Sequence, residues 1–105
     1  MANSAQTIVT PAQVVVTTAG TRQQLSATAI LADNVSIQAN PANTGLIYVG
    51  DNTVSSTHCW ILSAGQFLSL EGSRRRDGSD WLDLSTIYVD AATSGDKVQW
   101  GYLKR

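Results

Sequence analysis

The chain has 105 residues, of which 43% are hydrophobic and 14% charged, and its formal net charge is -1. That length suits one domain around one core, and that apolar share excludes a chain disordered by composition. The near-neutral, slightly acidic balance argues against a general nucleic-acid binder, which needs a basic surplus to meet phosphates.

Cys59 is the only cysteine, so no intrachain disulfide can form and a disulfide-stapled scaffold is excluded. No apolar run approaches the length of a membrane span. Met1 to Thr7 lack the basic start and apolar stretch of a signal peptide, so synthesis in the cytosol is expected. Ser, Thr, Asn and Gln take the place of charge, and these groups suit sheet surfaces and are cheaper to desolvate at interfaces.

Helix signals are nearly absent, because no long window carries a sustained i, i+3, i+4, i+7 apolar face. Thr7 to Thr10 reads as an extended piece, which Pro11 confines to an edge or an arm. Residues 1–12 hold few core-forming side chains and read as an N-terminal arm ordered against a neighbour, ahead of a β-sandwich domain over residues 13–105. Gln13 to Thr18 is the first strand of that domain, and Ala19-Gly20 turns the chain.

From Arg22 to Ala29 the alternation is the cleanest in the chain. Arg22, Gln24, Ser26 and Thr28 point one way and Gln23, Leu25, Ala27 and Ala29 the other, which predicts a half-buried strand. Asp33-Asn34 reads as a turn into a strand whose inner row is Val35, Ile37 and Ala39. Asn40 to Gly45 is a loop. Leu46 to Val49 is a strand, closed by Gly50 to Thr53, residues that tolerate positive φ. His58 to Leu62 is a short strand, Ser63-Ala64-Gly65 a turn, and Gln66 to Leu70 another strand.

Glu71 to Asp80 is polar, basic and glycine-containing, an exposed loop. Trp81 to Leu84 leads into Ile87-Tyr88-Val89, Thr93 to Asp96 forms the last turn, and Lys97 to Leu103 is the final strand, with Val98, Trp100 and Tyr102 on one face. One phrase occurs twice, as Gly45-Leu46-Ile47-Tyr48-Val49-Gly50-Asp51 and as Ser85-Thr86-Ile87-Tyr88-Val89-Asp90, and each copy reads as the first half of a hairpin. Seven to nine short strands at such spacing predict an all-β, single-domain antiparallel β-sandwich.

Chemistry is sparse. His58-Cys59 invites a nucleophile or zinc reading, but with one His and one Cys the chain lacks a zinc ligand set, so Cys59 reads as a small buried hydrophobe and His58 as its surface neighbour. Asp77, Asp80 and Asp83 beside Gly78 hint at calcium without the loop spacing or the bidentate Glu that calcium sites use, so no metal is assigned. No activated-nucleophile motif is present, so an enzyme is not expected, and no cofactor is implied.

Arg74, Arg75 and Arg76 hold three of the seven basic residues. They suit a solvated loop, a carboxylate-bearing protein partner or phosphates, with Glu71, Asp77 and Asp80 neutralising the run locally. Trp100 alternates with Val98 and Tyr102 and reads as core. One of Trp60 and Trp81 reads as an interface anchor, since Trp and Arg dominate binding hot spots, with a carbohydrate platform as the competing use.

The run Ile37 to Asp51, continuing through Val54-Ser55, is followed by Leu62-Ser63-Ala64-Gly65-Gln66 and by Leu84-Ser85-Thr86-Ile87-Tyr88-Val89. This ordered set of phrases, over residues 13–103, resembles small virion proteins of tailed double-stranded-DNA bacteriophages, particularly head decoration or cement proteins. The insert Arg74 to Asp80 departs from that pattern by its length. The resemblance implies a non-enzymatic protein on the capsid surface of the virion, partnered by the major capsid protein and by itself as a homotrimer, with no membrane or direct nucleic-acid contact. A neck, tail or baseplate component is the alternative within the particle, and a carbohydrate-binding β-sandwich module the alternative of another class. On this reading Thr7, Ile8 and Val9 in the arm, Arg74, Arg75 and Arg76 with Trp81, and Trp60 are the contact residues.

Overall fold

A computed structural model describes residues 7–9, 13–32, 34–71 and 82–104. Within them the chain forms β1 (Thr7–Val9), β2 (Val14–Val15), β3 (Gln23–Gln24), β4 (Leu31–Ala32), β5 (Asn34–Ala39), β6 (Ile47–Gly50), β7 (Trp60–Leu62), β8 (Phe67–Glu71) and β9 (Leu82–Asp83). A single 3-10 turn over Leu84–Thr86 follows, then β10 (Tyr88–Ala91) and β11 (Lys97–Lys104). The strands outnumber the seven to nine predicted because β4 and β9, two residues each, form a small pair of their own, too short for strand periodicity to mark.

Two antiparallel sheets face each other, as the alternating pattern predicts. One runs β1-β11-β5-β8, with β2 also on β11; the other runs β3-β10-β6-β7; β4 and β9 form a small separate pair. Val35, Ile37, Ala39, Val98 and Trp100 from the first sheet and Ile47, Val49, Leu62, Val89 and Ala91 from the second share one core. The predicted inner rows of β5 and β11 are therefore correct, with Val35, Ile37, Ala39 and Val98 fully buried.

The links β2–β3, β5–β6, β7–β8 and β10–β11 all cross between the sheets at one end of the sandwich, the corner end. Asp96 ties that end together. Its buried carboxylate accepts the backbone N–H of Thr44 at 3.2 Å and of Gly45 at 2.8 Å. A Cβ added at Gly45 would meet Thr93 Oγ1 at 2.5 Å, so a side chain there requires Thr93 to move.

The two copies of the repeated phrase pair with each other. Val49 faces Val89, Tyr48 faces Asp90 and Gly50 faces Tyr88, which places a local two-fold through the valine pair. Only the first copy opens a hairpin, β6 with β7; after the second, the chain crosses to the other sheet, so β10 and β11 are not hairpin partners. At this end of β10 the buried Asp90 side chain accepts the N–H of Gly20 at 3.0 Å and of Ala91 at 2.8 Å, binding the strand to the turn before β3.

Three local expectations are corrected. The strand predicted from Arg22 to Ala29 survives only as Gln23–Gln24 plus buried Leu25. Ser26 Oγ donates to Thr28 O at 2.7 Å and accepts from Thr28 N at 3.3 Å, a side-chain turn that ends the ladder and leaves Ala27 and Ala29 exposed. Asn34 is the first residue of β5 and not a turn residue, while Asp33 lies outside the described residues. The closure after β6 uses no positive φ, because Asp51 Oδ1 accepts the N–H of Thr53 at 2.9 Å and shapes the turn with its side chain. The turns at Gly20 and Gly65, by contrast, do use the left-handed conformation, at φ of 88° and 83°.

Trp100 is core, stacked on Tyr102 at 5.9 Å, but its buried Nε1–H has no acceptor among the described residues. An unmade buried hydrogen bond costs about 1–3 kcal/mol. Trp100→Phe removes that donor along with part of the ring. We expect the two effects to offset, leaving stability within about 1.5 kcal/mol of the parent by chemical denaturation, well below an ordinary large-to-small core cost.

Candidate functional site

The end of the sandwich opposite the corners collects most of the residues of interest. The register aligns Val9, Tyr102, Val35 and Leu70 in one row across the first sheet, at this open end. In the second sheet the corresponding row is Gln23, Val89, Val49 and Trp60. Thr7, Ile8 and Val9 pair with Lys104, Leu103 and Tyr102 of the same chain, so in this structure the predicted arm adds a strand to its own sheet. Glu71 and Leu82, which bound residues 72–81, belong to β8 and β9 at the same end. Arg74, Arg75, Arg76 and Trp81 lie outside the described residues, as do Asp77 and Asp80 of the weighed calcium reading.

The loop from β6 to β7 builds a groove there. Val54 is buried and sits close over Gly50, where an added Cβ would stand 3.1 Å from Val54 Cγ2. Val54 N donates to Asp51 O at 3.0 Å, and Ser55 and His58 exchange two backbone hydrogen bonds of 3.2 Å each. Thr53 adds its amide and hydroxyl to Asp51 Oδ1. These bonds, the hydroxyl first and the amide next, hold the Asp51 carboxyl below its ordinary value against a smaller opposing effect of desolvation. Asp51 is therefore an ionised acceptor at neutral pH.

Val49, Gly50, Asp51, His58, Cys59 and Trp60 line a groove of about 390 Å³. A neighbouring cleft of about 270 Å³ is lined by Asp51, Asn52, Ser85, Thr86 and Tyr88. Asp51 belongs to both. On the far wall, Asp83 caps the 3-10 turn: its Oδ1 accepts from Ser85 N at 3.0 Å and Ser85 Oγ at 2.8 Å, bonds that depress its pKa, the amide more than the hydroxyl. Asp83 is thus committed to its own backbone.

Trp60 is 56% exposed and walls the groove. His58 is exposed, while Cys59 is half-buried and not fully buried as its small apolar side chain suggests, because the groove reaches it. Among the described residues no hydrogen bond joins His58 to Cys59 or Asp51, and no set of three His, Cys, Asp or Glu side chains is placed to hold a metal ion. Nothing in the sequence reading singled out Asp51 or the groove. The usable signal is Asp51-Asn52-Thr53, in which a carboxylate two residues before a hydroxyl forms its own turn.

A second feature lies along the side of the molecule. β7 and β8 are edge strands of the two sheets, joined by the tight turn through Gly65, so both edges lie on one flank. Neither strand contains a basic residue or proline. Within these edge strands Ile61 and Phe67 are 53% and 69% exposed. Comparison of the chain with protein-family models, curated proteins and solved structures finds no match.

Proposed function

We propose that this chain is a structural protein of a tailed-bacteriophage virion, a capsid decoration protein that binds the lattice of the major capsid protein and stiffens the head. The observation that carries the reading is the double edge formed by β7 and β8, which among the described residues pairs with no further strand. Free-standing soluble proteins blunt such edges with lysine, proline or bulges; this one flanks them with Ile61 and Phe67. Exposed strand edges with apolar borders suit contact with another protein by main-chain pairing. The outer face of the first sheet beside β8 carries neutral polar groups: Ser36 and Ser69 lie opposite each other, and Gln38 and Gln99 are joined at 2.8 Å. Such groups desolvate at lower cost than Lys or Glu.

The resemblance of the ordered phrases to head decoration proteins supports the same reading and supplies the particle. A homotrimer at junctions of the lattice, with many copies each making a modest contact, fits this economy of surface. Thr7 to Val9, Arg74 to Arg76 and Trp81 are additional contacts on this proposal. The protein needs no cofactor and performs no catalysis in this role.

Imaging of purified particles tests the assignment. The protein is expected on the outer head surface in many copies, and density confined to the neck or tail overturns the head position. The variant carrying Ile61→Lys and Phe67→Lys is expected to keep its thermal midpoint and to bind isolated heads at least about tenfold more weakly, a loss of about 1.4 kcal/mol. Undiminished binding by that variant overturns the role of the edge.

A further inference from the structure

We propose that the groove and cleft joined at Asp51 bind a neutral saccharide, with one pyranose face laid on Trp60 and its hydroxyls donated to the Asp51 side. This goes beyond a structural role in the virion and stands on separate observations.

The chemistry of the lining selects the ligand. Asp51 Oδ1 is occupied by Thr53, but Oδ2 has no hydrogen-bond partner among the described residues. Ser85 donates its hydroxyl proton to Asp83 Oδ1, and Thr86 donates its own to Asp83 O at 2.7 Å. Both hydroxyls therefore have only acceptor lone pairs left for a ligand. Asn52 supplies the neutral amide, able to donate and to accept. The cleft thus asks for a molecule dense in O–H donors.

Trp60 asks for something different beside it: an apolar, flat face. A pyranose ring meets both demands, with its axial C–H groups against the indole and its hydroxyls at the rim. The combined size of the two depressions, about 390 Å³ and 270 Å³, lies in the range of small-ligand sites. An anionic ligand would meet the ionised Asp51. A quaternary ammonium ion would use Trp60 and Asp51 but leave Asn52, Ser85 and Thr86 unused.

The site is also built in advance. The β6–β7 loop is closed by the Ser55–His58 exchange and anchored by buried Val54, and the opposite wall is fixed by the Asp83 cap. A ligand would order little on arrival, which favours affinity.

The test is titration of the isotope-labelled full chain, followed by amide NMR, with methyl glycosides of glucose, galactose, mannose and N-acetylglucosamine, and with tetramethylammonium. At least one glycoside is expected to shift the amides of Asp51, Asn52 and Ser85 to Tyr88 saturably. Trp60→Ala and Asn52→Ala are each expected to weaken that binding about tenfold or more while leaving the thermal midpoint in place. Three results overturn the proposal: no glycoside saturates these signals, Trp60→Ala and Asn52→Ala both bind as tightly as the parent, or tetramethylammonium alone saturates them. Head binding is read separately on the same variants, so loss of one activity does not mimic loss of the other.

Discussion

Asp96→Ala is expected to destabilise the fold by about 3–5 kcal/mol, measured as a lowered denaturation midpoint at unchanged slope. Asp96 is buried and its two oxygens satisfy the N–H groups of Thr44 and Gly45. A hydrogen bond to a charged group is worth about 1.5–3 kcal/mol, and removing the acceptor takes the partner from two part-buried N–H donors. Asn43 Oδ1, which accepts from Lys97 N at 2.9 Å in the same corner, remains as a second tie between the two crossings. Asp96→Asn keeps one acceptor oxygen and should recover roughly half the loss. A change below about 1 kcal/mol for Asp96→Ala would mean that the corner is held by the surrounding backbone alone.

Leu84→Ala is expected to cost about 2–5 kcal/mol by the same measurement, with a second consequence at the proposed ligand site. Leu84 is fully buried although it opens the 3-10 turn, and its N–H donates to Ile30 O at 2.9 Å. It pins to the core the segment that presents Ser85 and Thr86 to the cleft. Truncation should therefore weaken binding of any glycoside that the parent accepts, even though Leu84 touches neither depression. Leu84→Met, which conserves volume, is expected to stay within about 1.5 kcal/mol and to bind normally. Lost stability with unaltered glycoside affinity would show that the Asp83 cap holds the wall without the core anchor.

Much of the sheet framework was legible because its signal is local. Val35, Ile37 and Ala39 alternate with polar residues and face inward, as do Val98 and Trp100. The turns at Gly20, Gly65 and Gly95 were equally legible, since glycine there takes the left-handed conformation. The Arg22 to Ala29 alternation failed for a reason that periodicity does not register: the hydroxyl of Ser26 competes with the ladder for the backbone. The short 3-10 turn at Leu84–Thr86 was missed because three residues are too few for a periodic signal. Of the candidate contact residues, the structure places Trp60 and Thr7 to Val9 at the open end, in rows that their own sequence neighbourhoods do not reveal.

The residue pattern by itself determined an all-β sandwich with defined inward rows, because side-chain alternation along a strand is a property of successive residues. Tertiary structure alone decided that the repeated phrases pair with each other about a valine two-fold, that Asp96 caps a loop 51 residues away, and that Asp51 lies between the groove of Trp60 and the cleft of Ser85. Those contacts depend on how two sheets stack and where the crossings fall. Strand periodicity states which face is buried, but not which distant strand will lie beside it.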